Sequence, residues 1–253
     1  MLMKNLFLLP ALLCSIVITA QEPNLYVAAK TGLNIREKPE TSARVLDKIP
    51  YAAKISLEES NEQNKKINTE GFVGYWRKVT YNSKTGYIID AYLLPYPPPM
   101  AGTKTMKEYL SQVSVAFGDS LIISNGTMNN VEEGGSQLIK QLYKNGGEWH
   151  EFLGYEYNSM TYFIPGITMQ QAFLLVRLLP EFAEYISEKD EYITASKKVK
   201  KRERNYEYKV EKEVFGDTPW INRIKIGFED GAIYDFEMFQ IDNQVVIFFG
   251  AGV

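Results

Sequence analysis

Residues 32–50, GLNIREKPETSARVLDKIP, decide the fold of the first part of this 253-residue chain. Leu33–Arg36 alternates apolar and polar side chains, a period of two that is typical of a β-strand with one apolar face. Pro39 cannot donate a hydrogen bond to a neighbouring strand, so the strand should end before it. Arg36 then need not be buried. We expect its stem to lie on apolar neighbours and its guanidinium to bind backbone carbonyls or a carboxylate.

Further short segments of the same kind follow, with turn-forming residues between them. The predicted strands are Tyr26–Ala28, Leu33–Arg36, Val45–Ile49, Lys54–Leu57, Trp76–Tyr81 and Thr85–Ile89. No helical period separates them, so a small barrel or sandwich is expected. The segment from Glu58 to Gly74 is long and polar; it is either a grafted binding loop or a tolerated insertion.

The order and spacing of these segments resemble the bacterial SH3-like (SH3b) domain. The residues that carry the resemblance are Leu33–Arg36, the turn Lys38–Ser42, Val45-Leu46, Trp76–Val79, Thr85–Ile88 and Ala91–Leu93. The resemblance implies a small β-barrel over residues 24–96 that contacts cell-wall peptide, peptidoglycan or a protein partner without catalysis.

Four residues of this region are candidate ligand-binding residues: Arg36, Trp76, Tyr87 and Tyr92. Arginine offers a planar fork of donors, and aromatic rings can form a shelf for a peptide or a sugar. For Trp76 and Tyr87, packing within the barrel wall is the alternative interpretation.

A proline-rich stretch closes the first region. Residues 97–103 begin with three prolines, which favour an extended polyproline conformation and predict a semi-rigid linker. Residues 104–253 then form a second predicted domain. We expect helices from Thr105, over Ser136–Lys144, and from Thr168, and Pro180 must break or kink the last of them. A short helix over Glu181–Ile186 is a further expectation.

The rest of the second domain has the period of β-strands. Tyr155–Phe163 is a predicted strand, and the turns Asp230-Gly231 and Asp242-Asn243 predict two hairpins. Val245–Phe249 is apolar throughout, so it should be a central strand covered on both faces. The predicted fold class is mainly β plus α+β: a small SH3-like barrel followed by an α+β domain with an antiparallel sheet and about three helices.

The first 20 residues predict a secretory signal peptide with cleavage after Ala20. Their apolar run, Leu6 to Ile18, is short for a membrane-spanning helix. The expected location is therefore periplasmic or extracellular, without a transmembrane anchor after cleavage. Cys14 lies within the run, and a form that is lipid-anchored through Cys14 is the alternative.

Composition restricts the chemistry. Cys14 is the only cysteine and His150 the only histidine. A cysteine peptidase needs a Cys–His pair and a zinc amidase needs several His ligands, so both are disfavoured. We expect no catalytic residues, no metal and no cofactor. A formal net charge of −3 does not indicate a nucleic-acid partner.

Two charged features leave alternatives open. Glu229-Asp230 and the pair Asp235 and Glu237 could serve a carboxylate-dependent glycan hydrolase. The basic run Lys197–Arg204, KKVKKRER, either contacts an anion or protects the edge of a sheet from pairing.

The sequence thus predicts an exported, non-catalytic binding or scaffolding protein of the bacterial cell envelope. Its expected partner is cell-wall peptide, peptidoglycan or an envelope protein, and its oligomeric state is left open. The alternatives are a wall-glycan hydrolase and a subunit of an envelope assembly.

Overall fold

The structure is a computed structural model that describes residues 24–58, 65–126, 134–215 and 218–253. The predicted signal peptide, with Cys14, lies outside these ranges. Within them, no helix has both the length and the apolar character needed to cross a membrane.

Residues 25–94 form eight short strands in two small sheets. The strands are β1 (Leu25–Val27), β2 (Leu33–Arg36), β3 (Val45–Ile49), β4 (Lys54–Ile55), β5 (Lys66–Thr69), β6 (Phe72–Tyr81), β7 (Lys84–Ile89) and β8 (Leu93–Leu94). One sheet has the order β4-β1-β8 and the other the order β3-β2-β7-β6-β5, and all paired strands are antiparallel. The predicted strands Leu33–Arg36 and Val45–Ile49 are confirmed with their bounds.

The first predicted strand shows why this region folds as expected. Leu33 and Ile35 of β2 are buried and pack in the core of the first region. Arg36 lies on the other face, and its Nη1 donates a hydrogen bond to the carbonyl oxygen of Ala43 at 2.7 Å. Arg36 therefore ties the end of β2 across the proline-containing turn, as the sequence predicts.

The second region is built on one nine-stranded antiparallel sheet. Its elements are α1 (Met106–Val113), β9 (Leu121–Asn125), β10 (Ser136–Leu142), β11 (Glu148–Leu153), β12 (Tyr157–Pro165), α2 (Met169–Leu178), β13 (Lys197–Lys201), β14 (Arg204–Phe215), β15 (Thr218–Glu229), β16 (Ile233–Ile241) and β17 (Gln244–Gly252). The strand order is β13-β14-β15-β16-β17-β12-β11-β10-β9.

The central position of β17 confirms the interpretation of the last apolar segment. It is the fifth of the nine strands. Val245, Val246 and Ile247 point alternately to the two faces, and all three are buried. Both predicted hairpin turns are present, since β15 pairs with β16 and β16 pairs with β17.

Both predicted helix starts are present. Thr105 caps α1, which begins at Met106, and Thr168 caps α2, which begins at Met169. The side chain of Thr105 accepts from the backbone N–H of Glu108, and Thr168 does the same for Gln171. In each case the side chain of the residue three positions on accepts a hydrogen bond from the backbone N–H of the capping residue, which completes a capping box. The predicted break at Pro180 is confirmed, because α2 ends at Leu178 and a 3-10 turn follows over Pro180–Phe182. That single turn replaces the short helix expected over Glu181–Ile186.

The predicted helix over Ser136–Lys144 is wrong. Ser136–Leu142 is strand β10, which pairs with β9 on one side and β11 on the other. Its apolar residues fit a short helix as well as a strand, and only pairing with distant strands separates the two. The described residues therefore contain two α-helices instead of about three.

One hydrophobic core is common to both regions. Ala28, Phe72 and Leu94 of the first region lie in the same cluster of buried residues as α1, α2 and one face of the nine-stranded sheet. The first region also keeps a separate core of its own. That core consists of Val27, Leu33, Ile35, Ile49, Ile55, Val79, Ile88 and Leu93.

The predicted linker is packed between the two regions. The hydroxyl of Tyr51 donates to the carbonyl oxygen of Pro99 at 2.8 Å, and the side-chain amide of Gln112 donates to that of Pro98 at 2.9 Å. Both prolines are buried. The segment is therefore fixed from both sides, whereas the proline pattern by itself indicates only a stiff spacer. The domain boundaries at residues 96 and 104 stay a prediction.

Candidate functional site

A cavity of about 730 Å³ lies between the first region and helix α2. One wall is the chain from Ala28 to Asn34, and the opposite wall is the C-terminal half of α2 with residues 188, 189 and 191. We call it the interdomain cavity.

Helix α2 supplies its wall through one face. Leu174, Arg177 and Leu178 are three and four residues apart, so their side chains lie on the same side of the helix. The guanidinium of Arg177 donates to the carbonyl oxygen of Glu188 from Nε at 3.0 Å and from Nη2 at 2.7 Å. Its Nη1 donates to the carboxylate of Glu70 at 2.9 Å. Arg177, whose side chain is only 11% exposed, therefore joins the β5–β6 turn to the loop after α2.

The turn between β5 and β6 contacts the second region directly. Gly71 has a φ of +78°, and a Cβ at this position would lie 2.6 Å from the carbonyl oxygen of Tyr192. The backbone N–H of Tyr192 donates to the carbonyl oxygen of Glu70 at 2.9 Å. Only glycine combines this conformation with this close approach.

Phe72 anchors the turn in the common core. Its ring is fully buried and stacks on Tyr192 with a centroid distance of 5.4 Å. Phe173 of α2 meets the same ring edge-on at 5.9 Å. The described part of the long polar segment from Glu58 to Gly74 is thus a docking hairpin. The signal in the sequence is a single Phe directly after Glu70-Gly71.

Three of the four candidate residues line the interdomain cavity: Arg36, Trp76 and Tyr92. Trp76 is 3% exposed, which agrees with packing, although it also contributes to the cavity wall. The Tyr92 hydroxyl lies 3.1 Å from the hydroxyl oxygen of Thr69, and burial raises the pKa of Tyr92.

Tyr87, the fourth candidate, does not line this cavity. It is half-buried on β7, in register between Arg36 of β2 and Lys78 of β6. A ligand-binding role for the four residues stays a prediction.

The cavity wall carries charges of both signs. Lys30 pairs with Glu188 at 2.8 Å, and both side chains are about half exposed, so this ion pair adds little to stability. Lys189 and Glu191 are exposed at the wall, and neither forms an ion pair within the described residues. The cavity is therefore electrostatically suited to a ligand that has both an anionic and a cationic group.

The sequence of the first region matches one known family. The match is to the model of the bacterial SH3 domain and covers residues 31–93. Residues 31–93 are a bacterial SH3 domain. This assignment suggests a cell-wall binding module, and bacterial SH3 domains are typically extracellular or periplasmic. No curated protein and no solved structure matches the chain.

The SH3 match includes all four candidate residues and ends before the second wall of the interdomain cavity. Arg177 and residues 188–191 are the part of the site that sequence reasoning missed. They lie about 80 to 100 residues beyond the last SH3 strand, and no local pattern connects them to the barrel.

The paired carboxylates proposed for hydrolysis lie elsewhere. Asp230 forms an ion pair with Arg204, and Glu237 forms ion pairs with Arg223 and Lys225. Glu229 and Asp235 are exposed.

His150, on β11, is in contact with Glu148, and its ring lies 4.9 Å from that of Phe163. Among the residues that the structure describes, no group of three or more His, Cys, Asp or Glu could hold a metal ion.

Proposed function

We propose that the chain is an exported, non-catalytic binding protein of the bacterial cell envelope that holds cell-wall peptide in the interdomain cavity. The observation that carries the proposal is that a bacterial SH3 domain supplies one wall of this cavity and the C-terminal region supplies the other.

The size and lining of the cavity support a peptide as the ligand. A volume of about 730 Å³ lies within the usual range of roughly 300–1,000 Å³ for small-molecule sites. Aromatic and aliphatic side chains such as Trp76, Tyr92 and Leu174 form apolar walls. Lys189 and Glu191 offer opposite charges, which suits a short peptide with free amino and carboxylate groups.

The state of the carboxylates supports a role without catalysis. Hydrolysis of a glycan needs two acids that face each other across a cleft, one of them free to give up a proton. Asp230 and Glu237 are instead held in ion pairs with cations. If the purified protein released soluble fragments from sacculi, the non-catalytic proposal would be wrong.

The binding proposal is tested by sedimentation with purified sacculi, using variants on the cavity rim. Thr31→Trp should block the cavity, because Thr31 is an exposed turn residue at its wall. Lys30→Glu should reverse the charge beside Glu188. We expect Lys30→Glu to weaken binding by about fivefold or more, which is the effect of one lost charged contact. Thr31→Trp should weaken binding by at least as much, because its ring would occupy the space of the ligand.

Lys212→Glu is the matched control. Lys212 is exposed on β14, away from the cavity, and its substitution makes the same change in net charge. It should leave binding within about twofold of the wild type. If Thr31→Trp and Lys30→Glu bind sacculi as the wild type does, the interdomain cavity is not the binding site.

A further inference from the structure

The basic run of the sequence forms the edge of the large sheet. Lys197–Lys201 is strand β13, paired only with β14 among the described strands. Lys197 and Lys201 are four residues apart, so they point to the same face, and Lys197 is in register with Tyr208. The ammonium groups of Lys197 and Lys201 lie 5.6 and 5.5 Å from the centre of the Tyr208 ring.

The Tyr208 hydroxyl is an unsatisfied polar group. Tyr208 is only 3% exposed, and its buried hydroxyl oxygen has no hydrogen bond of 3.5 Å or less among the described residues, although the Lys201 ammonium lies beside it. Leaving a buried hydroxyl without a partner is destabilising, so such groups usually bind a ligand or ordered water.

A second cavity, of about 350 Å³, opens beside this hydroxyl. We call it the lysine cavity. Lys197, Lys201 and Tyr208 form one side, and the loop from Lys189 to Ala195 forms the other. It has room for much more than a single water molecule.

The charges at the lysine cavity are unevenly engaged. Lys201 donates to Asp190 at 2.9 Å, and the same carboxylate accepts from the backbone and the hydroxyl of Ser187. Asp190 is therefore already occupied by three donors. Glu191 is exposed at the rim, while Lys189 and Lys197 form no ion pair within the described residues.

We propose that the lysine cavity binds a phosphate group, with Lys197 and Lys201 as the charges and the Tyr208 hydroxyl as a hydrogen-bond donor. A phosphate monoester carries about −1.5 to −2 charges at pH 7 and several acceptor oxygens, which matches two ammonium groups beside one free hydroxyl. A carboxylate has one charge and only two acceptor oxygens, so it engages both ammonium groups and the hydroxyl less completely than a phosphate does. The lysine cavity shares Lys189 and Glu191 with the wall of the interdomain cavity, but Lys197, Lys201 and Tyr208 do not line the interdomain cavity. The phosphate proposal therefore does not depend on the proposed peptide binding.

Calorimetric titration of the full chain with inorganic phosphate tests the site, with acetate as the carboxylate comparison. We expect Lys197→Ala to weaken phosphate binding about tenfold, since a hydrogen bond to a charged group contributes about 1.5–3 kcal/mol. Lys198→Ala is the matched control, because Lys198 is the next residue on the same strand and points to the other face. It should change binding by less than about twofold.

Tyr208→Phe separates ligand binding from folding. It removes the unpartnered hydroxyl and keeps the ring, so the free protein should melt at the same temperature or slightly higher. Phosphate binding should nevertheless weaken about fivefold or more. A melting temperature that falls instead would mean that the hydroxyl already has a partner, which would overturn the proposal.

The source of the phosphate is decided by a parallel titration with glycerol 3-phosphate, a monoester with nearly two negative charges at pH 7. Tighter binding of the monoester than of inorganic phosphate, lost in Lys197→Ala, assigns the site to an organic phosphate monoester; the reverse order assigns it to free phosphate. Equal binding of acetate and phosphate, or phosphate binding that survives both Lys197→Ala and Tyr208→Phe, would refute the assignment.

Discussion

Substitution of Phe72 by alanine should separate the SH3 domain from the rest of the chain. The ring is 0% exposed and contacts Tyr192, Phe173 and Tyr92, with centroid distances of 5.4, 5.9 and 6.1 Å. The guanidinium of Arg177 lies 5.5 Å from its centre. Removing a buried Phe costs about 3–5 kcal/mol, and aromatic pairs contribute about 0.5–1.5 kcal/mol beyond the buried area. With three such neighbours, we expect a loss near the top of the range, about 4–5 kcal/mol.

The loss is measured by urea denaturation, followed through tryptophan fluorescence. In a chain of this size, about 4 kcal/mol corresponds to a fall in melting temperature on the order of 10 °C. Val73→Ala is the control, because Val73 is the adjacent residue, is 38% exposed and should change stability by no more than about 0.5 kcal/mol. A loss below about 1.5 kcal/mol for Phe72→Ala would refute a core common to both regions.

Three further substitutions have defined outcomes. Glu181 accepts from the N–H of Met106 and the hydroxyl of Tyr162, and burial raises its pKa above 4.5. The stability that the protonated Glu181 carboxyl gives the folded protein is fully present below pH 4.5 and is lost as the pH rises through the raised pKa. The melting temperature of wild type relative to Glu181→Gln should therefore rise from pH 7 to pH 4. Ile122, 58% exposed on the edge strand β9, should promote self-association, so Ile122→Lys should reduce the aggregate fraction in light scattering after mild heating. Thr168→Ala removes the cap of α2 and should cost about 1 kcal/mol in urea denaturation.

The SH3 domain could be predicted from its sequence because its signals are local. The alternation in Leu33–Arg36 and the proline turn after it determine where β2 ends and which face is buried. The same is true of both capped helices, in which Thr105 and Thr168 mark the start within four residues. The central position of β17 also followed from its uninterrupted apolar run.

Features that depend on distant partners could not be predicted. Ser136–Leu142 is a strand because β9 and β11 pair with it, and its own apolar spacing fits a helix equally well. The sequence of the polar segment before Gly74 does not indicate where this segment packs, because Phe72 packs on residues 173 and 192, which are distant in the chain. The interdomain cavity was missed for the same reason: its second wall comes from α2 and the loop beyond it.

The common core fixes the two walls of the interdomain cavity relative to each other, which an isolated SH3 domain could not do. Its two walls are held together by Phe72 in the core and by Arg177, which binds both Glu70 and the carbonyl of Glu188. Side chains such as Trp76 and Arg177 therefore keep a fixed separation before any ligand arrives. A preformed site loses less conformational entropy on binding than a flexible one. The packed linker and the docking hairpin thus hold the SH3 domain against α2. Under the proposed function, the ligand preference of this chain should therefore depend on α2 as much as on the barrel.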